Sequence, residues 1–344
     1  MSGTWSFQPA DYRSRFSHTN EKAHAGYYKV RLDDPAVDVE LTASAHVGMH
    51  RYQFPADKQA FIVLDLLHRD KLTSGSIIPR TPTEVTGERR SSSWAADQHI
   101  YYCIRFNRSM ENYIMSDKDT ERTGSLMDRP DTSYRAVFFF DPSGEPLIVK
   151  VGISAVSVEG ARKNIDAEIP GWDFDAVRSQ AEAAWNAKLR KIQVEGGTPE
   201  QQRIFYTALY HCYVSPYIFN DANGDYRGMD GAVHHADHTV YTVFSLWDTF
   251  RALHPLMTIL EPDMTNDFIK TFLLHYQQGG KLPVWELWGN ETNCMIGYHS
   301  VSAIADAYMK GIRGYDAQLA REAMIASAMR DEPGLKAYRD RGFI

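Results

Sequence analysis

Two segments of the chain place tryptophan beside side chains that form strong hydrogen bonds, and they are the first candidates for chemistry. Residues 244–255 read FSLWDTFRALHP, and residues 285–300 read WELWGNETNCMIGYHS. A buried charge needs a partner, so this mixture of indoles, acids, an arginine and a histidine is unusual for a simple core. Sugar hydroxyls both donate and accept hydrogen bonds, and a carboxylate beside an arginine can bind adjacent hydroxyls above an aromatic floor.

The first segment has helical spacing. A helix would place Asp248 and Arg251 at i, i+3, where they can pair, and Trp247 and Arg251 at i, i+4 on one face. Two interpretations remain open at this point. The residues form either an ion pair on a helix surface beside a core tryptophan, or an indole platform with a carboxylate and a guanidinium at its edge.

The second segment is interrupted by a Gly-Asn pair after Trp288. Asn290 and Glu291 are therefore expected on a loop that opens the helix carrying His299, with Thr292 as its N-cap. Glu291 has a second interpretation, because an acid at a helix start can simply complement the helix dipole.

Glu286 lies between Trp285 and Trp288 and is the second carboxylate of interest. Burial among the indoles would raise its pKa and suit it to acid catalysis, provided that it points inward.

Two other segments suggest metal sites and are judged weaker. Residues 231–241, GAVHHADHTVY, place His234, His235, Asp237 and His238 close together. The turn-rich sequence before them favours a polar loop over a metal site, and the spacing differs from the helical pattern of zinc hydrolases. The stretch NDANGDYRG lacks the glutamate that an EF-hand requires. No metal ligand is therefore predicted within this chain.

Composition limits the classes of function. The 344 residues carry 37 basic and 44 acidic side chains, a net charge of -7, which does not favour a nucleic-acid groove. No apolar run approaches the roughly 20 residues of a membrane helix, and no apolar signal core is visible at the start. The 3 cysteines are far apart and indicate neither a disulfide framework nor a zinc site. The oligomeric state is not indicated.

The elements that must position the candidate residues differ between the two halves. Up to about residue 165 the chain reads as strands, and their spacing favours a β-sandwich. Alternating apolar residues in ELTASAHVGMHRYQFP, from Leu41 to Met49, predict one strand, and a change of phase at Tyr52 predicts a bulge or corner near His50 and Arg51.

From Phe174 onward the pattern is helical. An alanine-rich connecting helix is followed by a helix with Thr198 as N-cap and Pro199 at its first position. Three more helices are predicted in TNDFIKTFLLHYQQGG, SVSAIADAYMKG and AQLAREAMIASAM. The predicted domains are a β-sandwich at 1–165, a linker with a connecting helix at 166–197, and helices of a second domain at 198–344.

Five segments together resemble glycoside hydrolase family 92, a family of calcium-dependent exo-acting α-mannosidases. They are FSHTNEKAHAGYYKVRL, ELTASAHVGMHRYQFP, SSSWAADQHIYYCIRF, YTVFSLWDTFRALHPLMTIL and LPVWELWGNETNCMIGYHSVSAIADAYMKGI. The resemblance implies an antiparallel β-sandwich followed by an (α/α)6 barrel. It also implies inverting hydrolysis of a terminal α-linked mannose, preferably α-1,2-linked, by two carboxyl groups about 6.5–9.5 Å apart, with Ca²⁺ assisting.

Transferred by position, the resemblance makes Trp247, Asp248 and Arg251 pocket residues for the terminal mannose, and Asn290, Glu291 and His299 their neighbours. The family's EGNAWQY-like, NEPSHH and GDDD segments, expected to supply the acid, the base and the calcium ligands, do not occur here. The chain therefore reads as an internal fragment with a partial barrel, inactive and poorly stable alone. Glu291 and Glu286 are kept as candidate acids.

Two alternatives to the mannosidase remain open on the sequence. One is a non-catalytic mannan-binding or scaffold protein, and the other is a disaccharide phosphorylase of sandwich-plus-barrel design. Family analogy favours a periplasmic or secreted bacterial location, and the expected partner is a mannose-containing glycan.

Overall fold

The computed structural model describes residues 5–116, 121–124, 134–331 and 335–342. The chain divides into two compact units. The first consists of Met1–Ser93, Asp97–Gln202 and Asp221–Asn223, and the second of Trp94–Ala96, Arg203–Asn220 and Gly224–Ile344. The main division falls between Gln202 and Arg203, a few residues after the predicted start of the second domain at 198.

Two antiparallel sheets form the first unit. The larger sheet has, in spatial order, β1 (Glu21–His24), β2 (Tyr27–Leu32), β3 (Val37–Ala43), β4 (Val47–Gln53), β12 (Leu147–Ser154), β8 (Gln98–Phe106), β7 (Glu84–Ser92) and β6 (Lys71–Thr81). The smaller sheet has β10 (Glu121–Gly124), β9 (Asn112–Ser116), β11 (Arg135–Phe140) and β5 (Ala60–Asp65). The short helix α1 (Pro9–Tyr12) precedes them.

The core of this unit contains side chains from both sheets. Phe106 and Val149 of the larger sheet belong to one buried cluster with Tyr113 and Phe138 of the smaller sheet. Alternate residues of each strand enter this cluster, as a two-layer sheet structure requires. The predicted N-terminal β-sandwich is confirmed.

The segment predicted as one bulged strand is instead the hairpin of β3 and β4. Leu41 lies opposite His50 and Ala43 opposite Gly48, in unbroken register. Both faces of β4 are buried, because Met49 packs on the helical side while Tyr52 packs toward the sandwich core. The change of phase therefore reflects two buried faces, and the bulge prediction was wrong.

Two helices cover the outer face of the larger sheet. They are α2 (Val158–Glu168) and α3 (Phe174–Leu189), and α3 lies within the predicted linker. Asp173 caps α3 by accepting a hydrogen bond from the Ala176 N–H. Ile165 and Phe174 pack with Met49 in a second apolar cluster. Helix α3 is therefore anchored to the first unit.

The second unit is built mainly from helices. They are α4 (Pro199–His211), which begins in the first unit, α5 (Leu246–Thr249), α6 (Leu253–Leu260), α7 (Pro262–Gly279), α8 (Ser300–Met309), α9 (Ala317–Ala328) and α10 (Leu335–Arg341). Thr198 and Gln201 form a reciprocal capping box at the start of α4, which confirms the predicted cap. Helix α7 ends at Gly280 with φ 76°, as the glycine pair predicted.

Short strands connect these helices. They are β13 (Tyr217–Ile218) paired with β16 (Tyr241–Thr242), β14 (Asp225–Arg227) paired with β15 (Val233–His235), and a sheet of β17 (Phe244–Ser245), β18 (Trp285–Leu287) and β19 (Asn290–Glu291). Phe244, Phe272 and Ile304 lie in the apolar core of this unit. In the described part of the chain, no helix has the length and apolar character needed to cross a membrane.

Candidate active site

A three-stranded sheet brings the two candidate segments side by side. Strand β17 leads directly into α5, and it pairs with β18 so that Ser245 lies opposite Trp285. Strand β18 pairs in turn with β19, placing Leu287 opposite Asn290. The two segments are about forty residues apart in sequence, and these backbone pairings hold them as neighbours.

Four side chains form a compact aromatic and cationic cluster beside this sheet. The His299 ring stacks on Phe250 with 4.0 Å between ring centroids and meets the edge of Trp247 at 5.3 Å. The Arg251 guanidinium lies 5.4 Å from the Trp247 ring centroid and 5.3 Å from that of Phe250. Trp247 and Arg251 are thus neighbours, although the helix predicted to place them on one face ends at Thr249, and Arg251 forms cation–π contacts.

The surroundings of His299 in this cluster lower its pKa. Burial lowers its pKa, and the positive charge of Arg251 lowers it further. Its buried Nε2 atom has no hydrogen-bond partner among the described residues. A buried polar atom without a partner is costly, but this nitrogen could receive a hydrogen bond from a ligand only if the side chains around it moved.

Asp248 is exposed and, within the described residues, has no ion pair or hydrogen bond with Arg251. The predicted i, i+3 pair was wrong because α5 ends at Thr249 and the chain then turns, so that Arg251 lies over the rings. An unpaired carboxylate beside an exposed guanidinium offers acceptors and donors to the same ligand.

Glu286 is fully buried, and burial raises its pKa to about 8. Its carboxylate nevertheless has three structural donors. Oε1 accepts from the Thr242 hydroxyl at 2.8 Å and the Gly289 N–H at 2.7 Å, while Oε2 accepts from the Val243 N–H at 3.0 Å. These hydrogen bonds connect the turn at Trp288, where φ is 53°, to the segment that contains Thr242 and Val243.

Glu291 is also engaged by backbone donors. Its Oε2 accepts from the Val284 N–H at 2.7 Å, and its Oε1 accepts from the N–H groups of Trp285 and Asn293 at 3.0 and 2.8 Å. It lies in β19, nine residues before α8, so the interpretation that Glu291 complements the dipole at the start of that helix was wrong. Both candidate acids therefore stabilise this local fold.

The residues around Glu291 also differ from the prediction. Asn290 and Glu291 form a strand, whereas a loop was expected. Thr292 donates to the Trp285 carbonyl at 2.8 Å, and His299 is the residue that directly precedes α8. Asn290 donates from its amide to the Trp288 carbonyl at 2.9 Å. The hydrogen bonds of the β18–β19 hairpin outweigh the helical pattern here.

Two aromatic residues of the site were not predicted. Phe250 supplies the face on which His299 stacks. Trp94, which lies between β7 and β8 in sequence but belongs to the second unit, contacts Trp285 with 4.3 Å between ring centroids and is 52% exposed. The only sequence signal for Trp94 is a large aromatic residue in a Ser- and Ala-rich connection.

The residues of the His-rich segment pair with separate acids. His234 contacts Asp230 and His235 contacts Asp225, each at 3.0 Å. Among the described residues, no three His, Cys, Asp or Glu side chains come together as a metal site. The candidate site residues do not fit a calcium ion by themselves, so no chemical step is assigned to one here.

Comparison with family profiles gives matches along almost the whole chain. The profile of the glycosyl hydrolase family 92 N-terminal domain matches residues 1–154, and that of the catalytic domain matches residues 160–344. A curated relative, described as an uncharacterized secreted glycosidase from Arthroderma benhamiae, is 25% identical over 98% of this chain and 44% of its own length.

Two solved structures are similar throughout the chain. A family GH92 alpha-mannosidase from Bacteroides thetaiotaomicron superposes with a TM-score of 0.91 at 35% identity, over 98% of this chain and 48% of its own. That protein is also known in complex with mannoimidazole. An inverting mannosidase of family GH92 from the same species gives 0.89 at 31% identity, over 99% of this chain and 48% of its own. The chain thus spans about half the length of these relatives.

Proposed function

Because the chain belongs to glycosyl hydrolase family 92, we propose that it supplies the sandwich and part of the helical domain of an exo-α-mannosidase. The proposed reaction removes a terminal α-linked mannose, preferably α-1,2-linked, from a mannoside or N-glycan. The observation that carries the proposal is 35% identity to an alpha-mannosidase over 98% of the chain. The mannoimidazole complex of that relative supports a mannose-like substrate.

The aromatic cluster has the chemistry that this substrate needs. Trp247, whose ring contacts His299, which in turn stacks on Phe250, offers a ring surface for the apolar face of a hexose. The Arg251 guanidinium donates to sugar hydroxyls, and the Asp248 carboxylate accepts from them through charge-assisted hydrogen bonds. Asn290 and Glu291 hold the β18–β19 hairpin, which pairs with the strand that leads into α5.

We assign the general acid and base to segments that are not in this sequence. Glu286 and Glu291 each accept three hydrogen bonds, and neither carboxylate is free to turn toward a glycosidic oxygen. An inverting reaction requires two free carboxyl groups, one to protonate the leaving oxygen and one to activate water. On this proposal the calcium ligands also lie in those segments, and this chain contributes substrate binding.

The proposed location is outside the cytoplasm. The secreted relative from Arthroderma benhamiae supports it, as does the glycan substrate. Detection of the native protein in culture medium or periplasmic extract would test this assignment.

The activity is tested on the longest reading frame that contains this chain. Release of mannose from α-1,2-mannobiose is expected, with inversion seen by NMR of the first anomer formed and with loss of activity in EDTA that Ca²⁺ restores. Arg251→Ala should lower kcat/KM about tenfold or more, since hydrogen bonds to charged groups contribute about 1.5–3 kcal/mol. Arg313→Ala is the matched control, because Arg313 lies over the Tyr308 ring in the same unit. Release of glucose, or turnover only with phosphate, would reject the proposal.

A non-catalytic glycan-binding role is the second candidate. The structural engagement of both Glu286 and Glu291 favours it for the 344-residue chain alone. Saturable binding of mannobiose without release of mannose, by the longest reading frame as well as by this chain, would establish binding as the whole function.

A further inference from the structure

The first unit carries an open groove that none of the function described above uses. It has a volume of about 370 Å³ and lies between the turn that joins β1 to β2 and one face of α3. The lining residues are His24, Ala25, Arg178, Glu182, Trp185, Asn186 and Leu189. Each of those on α3 lies three or four residues from another, which places them along a single stripe of the helix.

The position of the turn relative to α3 is fixed by Gly26. This residue has φ 85°, and a Cβ atom there would lie 3.0 Å from the backbone of Ala181 and Glu182. Its carbonyl also accepts a hydrogen bond from the Thr42 hydroxyl at 2.8 Å. The groove wall is therefore held by a close backbone approach that only glycine allows without strain.

The polar groups of the groove contact one another, and several of their polar atoms remain available to a ligand. Arg178 Nε donates to Glu182 Oε1 at 2.7 Å, and His24 Nε2 lies 3.5 Å from the same oxygen. The guanidinium is also held 4.1 Å from the Tyr27 ring centroid. In the part of the chain that the structure describes, Glu182 Oε2, the Arg178 Nη atoms and the Asn186 amide have no hydrogen-bond partner.

These features select a neutral polar ligand. The charges of Arg178 and Glu182 balance, so the groove has no strong preference for an anion or a cation. A partly exposed indole, Trp185, lies one helical turn beyond the carboxylate. A ring surface beside a carboxylate, a guanidinium and an amide matches the apolar face and the adjacent hydroxyls of a hexose.

We propose that this groove is an accessory glycan-binding site, which holds one hexose unit of a neutral glycan. The choice of a mannose oligosaccharide as probe rests on the proposed function. The groove itself does not, because its residues lie in the first unit and the candidate active site lies in the second.

The test is a site-resolved titration. The 7 tryptophans are labelled with 5-fluorotryptophan, and the Trp185 and Trp247 signals are assigned with Trp185→Phe and Trp247→Phe. We expect α-1,2-mannotriose to shift the Trp185 signal saturably, with a Kd on the order of 1 mM. Glu182→Gln should weaken this binding about tenfold, because it replaces a charge-assisted hydrogen bond with a neutral one, and Asn186→Ala severalfold, because it removes a hydrogen bond.

Glu159→Gln is the matched control, since Glu159 also contacts an arginine on a helix surface of the first unit and should leave the titration unchanged. A Trp185 signal that does not move, or moves equally in Glu182→Gln, would overturn the proposal. If only the Trp247 signal shifts, the accessory site fails while the proposed function stands. If maltotriose shifts the Trp185 signal, and the longest reading frame releases no mannose in the activity assay, the accessory site stands and the mannosidase assignment fails.

Discussion

Acidification should destabilise the second unit through two buried histidines. His254 in α6 and His275 in α7 are 4% and 5% exposed and pack edge-on against Phe244, Phe268 and Phe272. Burial lowers the pKa of His254 to about 4 and that of His275 to about 3. Both are therefore neutral in the folded protein at pH 5, whereas in the unfolded chain they take up protons below about 6.5.

The magnitude follows from this difference in proton uptake. A shift of one pKa unit corresponds to about 1.4 kcal/mol, and pH 5 lies about 1.5 units below the unfolded value. Each histidine should then lower the free energy of unfolding by about 2 kcal/mol between pH 7 and pH 5, or about 4 kcal/mol together. The loss begins as the pH falls through about 6.5 and continues until the folded-state pKa is reached.

The assay compares urea unfolding at pH 7, 6 and 5 for the wild type and for His254→Gln/His275→Gln, followed by circular dichroism at 222 nm. The comparison removes the contributions of all other titrating groups. The double variant should lose about 4 kcal/mol less than the wild type on acidification. His235→Gln is the control, because that side chain is 65% exposed. Parallel curves for wild type and double variant, within about 0.5 kcal/mol, would refute the reasoning.

Three further variants test individual contacts by the same unfolding assay. Glu286→Gln should lower the free energy of unfolding by about 1–3 kcal/mol, because an amide N–H₂ would face a backbone N–H. Because the pKa of Glu286 is raised to about 8, the wild type should also lose stability as the pH rises from about 4.5 through about 8, and the variant should not show this loss. Gly160→Ala should lower the free energy of unfolding by about 1–3 kcal/mol, since its Cβ would lie 2.2 Å from Asp221 Oδ2. Gly171→Ala is the matched control and should change the free energy of unfolding little, because a Cβ at Gly171 has no atom within 4 Å. Burial lowers the pKa of Lys150 to about 8, so wild-type stability should rise by about 2 kcal/mol between pH 7.5 and 9.5 relative to Lys150→Met. Unchanged stability in the first two variants, or equal pH dependence in the third, would contradict these assignments.

Local signals in the sequence were sufficient for several elements. The capping residue Thr198 and the glycine pair after α7 act through hydrogen bonds and backbone angles within a few residues, and both ends were predicted. The contact of Trp247 with Arg251 also follows from spacing along one short segment. The sandwich followed from strand spacing, although β3 and β4 were merged because alternation alone does not tell which of two buried faces a residue belongs to.

The roles of the acidic residues depended on partners that are distant in sequence. Glu286 receives donors from Thr242 and Val243, more than forty residues earlier, and Trp94 meets Trp285 from almost two hundred residues away. A residue's type limits the chemistry that it can perform, and its near neighbours determine helix ends and turns. The sequence by itself therefore determined the family and the order of a β-sheet unit followed by a helical unit, and it limited the residue types available for binding a sugar. Only the tertiary structure decided which carboxylates are free and which are occupied, because hydrogen-bond partners and burial are set by pairings between segments that no local pattern encodes.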